Sequence, residues 1–284
     1  MSQYKIAAIT GQHAGSEALQ QDRVALLAGE RAPGYMMAVV ADGAGGPKGG
    51  TLAAEQVIQT ARQLFSEFSP VEKGAPPPPL PGAKPPVHYA SNADKLDAMI
   101  RTIAQEAHQA IQFGRTVGED PAHSAMAVLV LMPDGGAVWG HVGDARIYRF
   151  AGGALAEKTG DAAYVAELLR DGKVPPDAAK NHRRVPALLN ALGNPQRAPF
   201  VTTGACSGLH VGDAFMVCTP GLWRYFSGEE MAAAVAKAAP REVSEKLIEK
   251  AGIRAQGKGE NCTFAIVSLQ TADSKAKAVA GLAR

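Results

Sequence analysis

No apolar run in this sequence of 284 residues approaches the roughly 20 residues that span a bilayer, and the opening MSQYKIAAIT lacks the basic head and long apolar core of a secretory signal. A membrane role is therefore not expected, and the cytoplasm is the expected compartment. Cysteine is scarce: Cys206, Cys218 and Cys262 are odd in number, far apart and outside any CxxC, which argues against a disulfide framework or a zinc knuckle. All three read as buried small hydrophobes. Charge of one sign is also missing, since 29 Lys and Arg against 27 Asp and Glu leave a net +2. With no basic stripe interleaved with aromatics, nucleic acid is not an expected partner. What is present is 46% hydrophobic residues, enough to bury a substantial core in one large domain or two small ones.

Short apolar or alternating runs bounded by Gly, Pro and Asp predict strands at Tyr4 to Thr10, Arg23 to Ala28, Tyr35 to Ala41, Ala125 to Met132, Ala137 to Val142, Arg146 to Phe150, Ala214 to Cys218 and Thr263 to Ser268. Asp134-Gly135-Gly136 lies between two of them and predicts a hairpin turn. Helical period shows in two longer segments, through Ala54, Val57, Ile58, Ala61, Leu64 and Phe65, and through Leu96, Met99, Ile100, Ile103, Ala107, Ala110 and Ile111. A later helix is expected around Val243 to Ala251, with shorter ones at Tyr164 to Asp171, Pro186 to Leu192 and Glu229 to Ala236. The proline-rich stretch at about 69–92 reads as a solvated connection, because prolines lack the N–H donor and favour polyproline II. Residues 270–284 read as a flexible tail. Strands in two blocks around a helical pair point to antiparallel sheets with helices packed outside.

AVVADGAGGPKGG, residues 38–50, is where the sequence raises a chemical question. A phosphate-cradling loop would want GxxxxGK[ST], but Lys48 follows Pro47 and no Ser or Thr follows the Lys. The other reading makes Asp42, at the end of a buried strand, a ligand for a hard divalent cation, with glycines allowing a backbone carbonyl to turn inward beside it. Alone, Asp-Gly after a strand is only a turn.

Three further stretches decide how to weigh it. ADGAGG at 41–46, HVGDARIYRF at 141–150, GDAFMVCTPGLWRYFSGEEM at 212–231 and GENCTFAIV at 259–267 stand in an order and spacing that resemble the type 2C, metal-dependent protein phosphatase family, bacterial type. QQDRV at 20–24 and DGKVPPDAAKNHRRVPALLNALG at 171–193 are weaker echoes. The resemblance implies an α+β fold, a four-layer αββα sandwich of two antiparallel sheets flanked by helices, as a single domain over residues 1–269. It also implies Mg²⁺ or Mn²⁺ as cofactor, two metals about 3.5–4 Å apart, and a metal-activated water that hydrolyses phosphoserine or phosphothreonine. By the same resemblance Asp42 matches the bridging aspartate, Gly43 the residue lending its carbonyl, Asp22 an acid that anchors metal-bound water, and Asp144 an acid at a third site.

The departures carry as much information. The family's CSDGLWD appears as CTPGLWR, so Pro220 stands at a ligand position with no side-chain oxygen, and Arg224 stands where a second acid is common. The ligating aspartate of the family's DN pair is Glu260, one methylene longer. Glu17 stands where the family commonly has an Arg that grips the substrate phosphate. A like charge about 5 Å from that phosphate, at an effective dielectric of about 20, is unfavourable by about 3 kcal/mol per unit charge. His141 and His182 read as packed or surface histidines, and Trp223 and Tyr225 as core anchors. Two functions are thus expected in competition: a pseudophosphatase or strongly impaired phosphatase that acts as a binding module in signalling, with weak or incomplete metal binding, and an active Mg- or Mn-dependent Ser/Thr phosphatase. Either implies a protein partner or phosphoprotein, in a setting linked to a Ser/Thr kinase.

Overall fold

The computed structural model describes residues 4–46, 48–71, 91–117, 122–160, 190–237 and 240–271, together with 164, 166, 168 and 170. Strands β1 (Tyr4–His13), β2 (Arg23–Ala28) and β3 (Met36–Gly45) come first, then helices α1 (Gly49–Glu67) and α2 (Asn92–Val117). Strands β4 (Ala122–Leu131), β5 (Ala137–Val142), β6 (Arg146–Ala151), β7 (Ala154–Lys158), β8 (Thr202–Cys206) and β9 (Ala214–Cys218) follow. Helices α3 (Pro220–Trp223), α4 (Gly228–Lys237) and α5 (Pro240–Ala255) precede the last strand, β10 (Cys262–Thr271). Two five-stranded antiparallel sheets result, ordered β1-β10-β9-β6-β7 and β2-β3-β4-β5-β8.

The layering can be read from alternate residues. In β3, Met37, Val39 and Ala41 pack with α1 and α2 through Val57, Phe65, Ile100 and Ile103, while Ala38 and Val40 face the second sheet. In β9, Phe215 and Val217 face inward across the sandwich, whereas Met216 and Cys218 face Leu222, Leu247 and Ala251 beneath the later helices. Central strands covered on both faces need apolar residues at every position, which is why MMAVVA and AFMVC are continuous rather than alternating. Three apolar interfaces separate four layers, so the αββα arrangement follows directly.

Several expectations are corrected. The glycine stretch after Asp42 is not a turn at that point: β3 continues through Gly45, because β4 starts early and pairs Asp42 with Ala125, Gly43 with Ser124 and Gly45 with Ala122. Strands β7 and β8 were not expected; both are sheet edges of mostly exposed or half-exposed residues, so they carry no apolar signature. Cys206 lies on the β8 edge and is only half-buried, unlike Cys218 and Cys262. Asn190 to Leu192 are not helical, and Leu192 instead makes reciprocal backbone hydrogen bonds with Ser124. The hairpin at Asp134 forms as expected, with Gly135 at φ +85° and Asp134 Oδ1 accepting from the Gly136 N–H. Most of the 171–193 segment with His182, the proline-rich residues 72–90 and the tail from 272 lie outside the described residues. No described helix is long and apolar enough to cross a membrane.

Candidate functional site

Both sheets direct acids to one end of the sandwich. In the sheet ordered β1-β10-β9-β6-β7, strand β9 lies between β6 and β10, with Arg146 opposite Cys218 and Cys218 opposite Phe264. The chain just outside those strand ends carries Asp144, Pro220 and Glu260. In the other sheet Arg23 pairs with Ala41, which brings Asp22 and Asp42 side by side at the next step. The sites expected from sequence thus come from five separate segments and converge.

Asp22 is only 1% exposed. Its Oδ2 accepts from the Thr219 hydroxyl at 2.9 Å, a bond that runs from one sheet to the other. Thr219 is held in turn by Thr263, whose backbone N–H donates to Thr219 Oγ1 at 3.0 Å. Asp22 and Asp42 sit side by side at this strand end, and each influences the other's titration. Burial pushes Asp22 up to about 7, although the bonds from Thr219 and Thr263 oppose this. Asp42 is raised well above the ordinary carboxylate range, first by burial, then by the charges of Asp22, Asp144 and Glu260. Two buried carboxyls this close disfavour double ionisation, which raises the proton affinity of the pair.

Gly43 has a steric reason to be glycine. A Cβ there would run into the Gly50 carbonyl and the Gln21 carbonyl, so β3, the start of α1 and the chain before β2 approach closely around it. Gly221 plays the same part at the start of α3, where a Cβ would meet the Asn261 carbonyl. Pro220 is the first residue of α3 and is buried, a position that suits proline because its missing N–H is not needed there.

Two residues shape the site through contacts that sequence reasoning did not assign to them. Asn261 ties the β1–β2 connection to β10: its Oδ1 accepts from the Gln21 N–H at 2.6 Å, and its Nδ2 donates to the carbonyls of Ala14 and Leu19 at 2.9 and 3.0 Å. Glu17 rides on that connection, is exposed, and its charge adds to the factors that raise Glu260. Arg224 is the second. Its Nη1 donates to both Glu260 oxygens, at 2.5 and 2.7 Å, and its Nη2 lies 3.6 Å from Asp144 Oδ2. The only sequence signal for this pair was a charge reversal at 224 beside a lengthened acid at 260. Trp223 is half-buried against the α3–α5 core, and its indole N–H donates to the Asp144 carbonyl at 2.9 Å. Tyr225 packs in the same cluster, and His141 is buried in β5.

Residues 11–236 match the family model described as Protein phosphatase 2C. The chain belongs to the protein phosphatase 2C family. It is 25% identical over 201 residues to the serine/threonine phosphatase stp of Listeria welshimeri, covering 68% of this chain and 69% of the relative. It is 22% identical over 245 residues to protein phosphatase PhpP of Streptococcus pneumoniae, covering 85% and 89%. Among solved structures, the S. agalactiae serine/threonine phosphatase superposes with a TM-score of 0.70 at 19% identity, over 93% of this chain and 99% of that one. The catalytic domain of the phosphatase PstP in complex with two manganese ions superposes with a TM-score of 0.63 at 22% identity, over 93% and 98%. These superpositions establish the type 2C fold.

The family is metal-dependent, and the donors of this chain can be tested for a two-metal centre. Asp42, Asp22 and Asp144 supply carboxylates, but Pro220 supplies no donor and both Glu260 oxygens face a guanidinium. Among the described residues no three His, Cys, Asp or Glu side chains converge on a point that a metal ion could take. The set as arranged does not fit a binuclear centre.

Proposed function

We propose that this chain is a type 2C phosphatase-fold protein in which hydrolysis is lost or strongly impaired, and which acts by binding a protein partner or phosphoprotein in a cytoplasmic signalling circuit linked to a Ser/Thr kinase. The domain runs over residues 1–269. Magnesium or manganese binds weakly or incompletely, with Asp42, Gly43, Asp22, Glu260 and Asp144 as the remnants of the metal-binding set. The observation that carries this reading is Pro220: a buried pyrrolidine ring begins α3 beside the acid cluster, where a carboxylate is needed to complete the set. Glu17 supports it, since an exposed acid near Glu260 adds negative charge where a phosphate dianion would have to approach.

The competing reading, an active Mg- or Mn-dependent Ser/Thr phosphatase, is favoured by the names of the relatives, which are called phosphatases. One assay separates the two. With a phosphopeptide and millimolar Mn²⁺, the wild-type chain is expected to hydrolyse no faster than Asp42→Ala. Wild-type turnover that Asp42→Ala abolishes would establish the active enzyme and end the binding-module reading.

A further inference from the structure

The acid cluster contains a cation of its own. Arg224 lies at the C-terminal end of α3 and reaches across to the segment just before β10, placing Nη1 on both oxygens of Glu260. Its Nη2 lies 3.6 Å from Asp144, in the turn between β5 and β6. Trp223 steadies the arrangement from below. Its ring carries Arg224 at 5.6 Å and Arg146 at 5.2 Å from the centroid, while its N–H anchors the turn that bears Asp144. One guanidinium thus joins three segments of the chain that would otherwise meet through like charges. We propose that Arg224 is a built-in counter-cation of the acid cluster, holding Glu260 and Asp144 in one ion pair, so that this contact and a bound divalent cation exclude one another.

The physical argument is one of charge and lone pairs. A carboxylate offers a metal ion its oxygens, and here both are taken by a donor that carries positive charge and is never deprotonated. A divalent ion entering beside Asp42 would meet that charge at close range. The arginine side chain is 45% exposed, so its arm is free to swing outward when displaced. Its effect is therefore competition, which lowers metal affinity without sealing the site. The inference deepens the proposed function and rests on it only for the idea that metal binding is weak.

The test is Mn²⁺ titration of the full chain by calorimetry at fixed ionic strength, for wild type, Arg224→Gln and Arg224→Lys. Arg224→Gln is expected to bind Mn²⁺ about tenfold or more tightly than wild type. Arg224→Lys keeps the charge and is expected to stay near wild type. A folded Arg224→Gln protein with unchanged affinity overturns the proposal, and so does an equal gain in Arg224→Lys, which would assign the effect to geometry rather than charge. Thermal melts with and without Mn²⁺ supply a second measure: the metal should raise the melting temperature of Arg224→Gln more than that of wild type. The phosphopeptide assay keeps the two ideas separate. Asp42-dependent turnover by wild type with tighter Mn²⁺ binding by Arg224→Gln removes the proposed function and keeps the counter-cation; an inert wild type with unchanged binding does the reverse.

Discussion

Replacing Asp22 with asparagine should make the metal-free protein more stable at neutral pH. The carboxyl is 1% exposed, beside Asp42, and burial pushes it from an ordinary 3.8 up to about 7. Because its folded value lies above its unfolded one, the folded state holds the proton more tightly than the unfolded chain between those limits. The corresponding stability is fully present below about pH 4 and is lost as pH rises towards 7. Three pH units at about 1.4 kcal/mol each set a ceiling near 4 kcal/mol, and since Asp22 titrates together with Asp42, about 2–4 kcal/mol is the expected range. Asparagine preserves the packing: its carbonyl still accepts from the Thr219 hydroxyl, and it brings no charge beside Asp42. Urea melts in EDTA should show wild type and Asp22→Asn within about 1 kcal/mol at pH 4 and separated by about 2–4 kcal/mol at pH 8. A gap that fails to widen between those pH values would refute the argument that these acids are kept at a cost to the fold.

Other substitutions test the surrounding parts. Pro220→Asp places a carboxylate at the first position of α3, which the helix dipole favours but the acid cluster opposes; it should lower stability in EDTA by about 1–2 kcal/mol and regain about 3 kcal/mol with Mn²⁺ at 100 times its Kd. Unchanged metal affinity would show that Pro220 does not occupy a ligand position. Asn261→Ala removes three hydrogen bonds to the β1–β2 connection and should cost about 2–3 kcal/mol in chemical denaturation, with faster amide exchange at residues 14–21. Gly43→Ala forces a methyl group against two carbonyls that belong to rigid backbone, so a loss of about 1–3 kcal/mol or more is expected in a thermal melt.

Asp22 and Asp42 are buried together, and Thr219, Thr263 and Asn261 form a bonded frame around them. A frame of this kind positions charge, and Pro220 and Arg224 lie at its edge, the first with no side-chain oxygen and the second paired with Glu260.

Central strands and long helices were legible because each is set by local pattern. Continuous apolar runs in β3, β4 and β9 mark strands covered on both faces, and the 3.6-residue stripe of α1 and α2 marks their buried side. The edge strands β7 and β8 were not legible, since a strand with one neighbour and exposed side chains needs no apolar signature. The extension of β3 through Gly45 was missed for a related reason: glycine suggests a turn locally, and only the early start of β4 supplies partners that keep the chain extended.

The sequence alone pointed to the family, to the acids Asp42, Asp22, Asp144 and Glu260 as candidates, and to the departures at Pro220, Arg224, Glu260 and Glu17, because motif order and residue chemistry survive without coordinates. Only the tertiary structure decided what those residues do to one another. The Asp22–Asp42 pairing, the Thr219 bond between sheets, the Asn261 clamp and the Arg224–Glu260 pair all join positions distant along the chain. Such contacts depend on which strand ends the two sheets bring together, and that is a property of packing rather than of any local stretch.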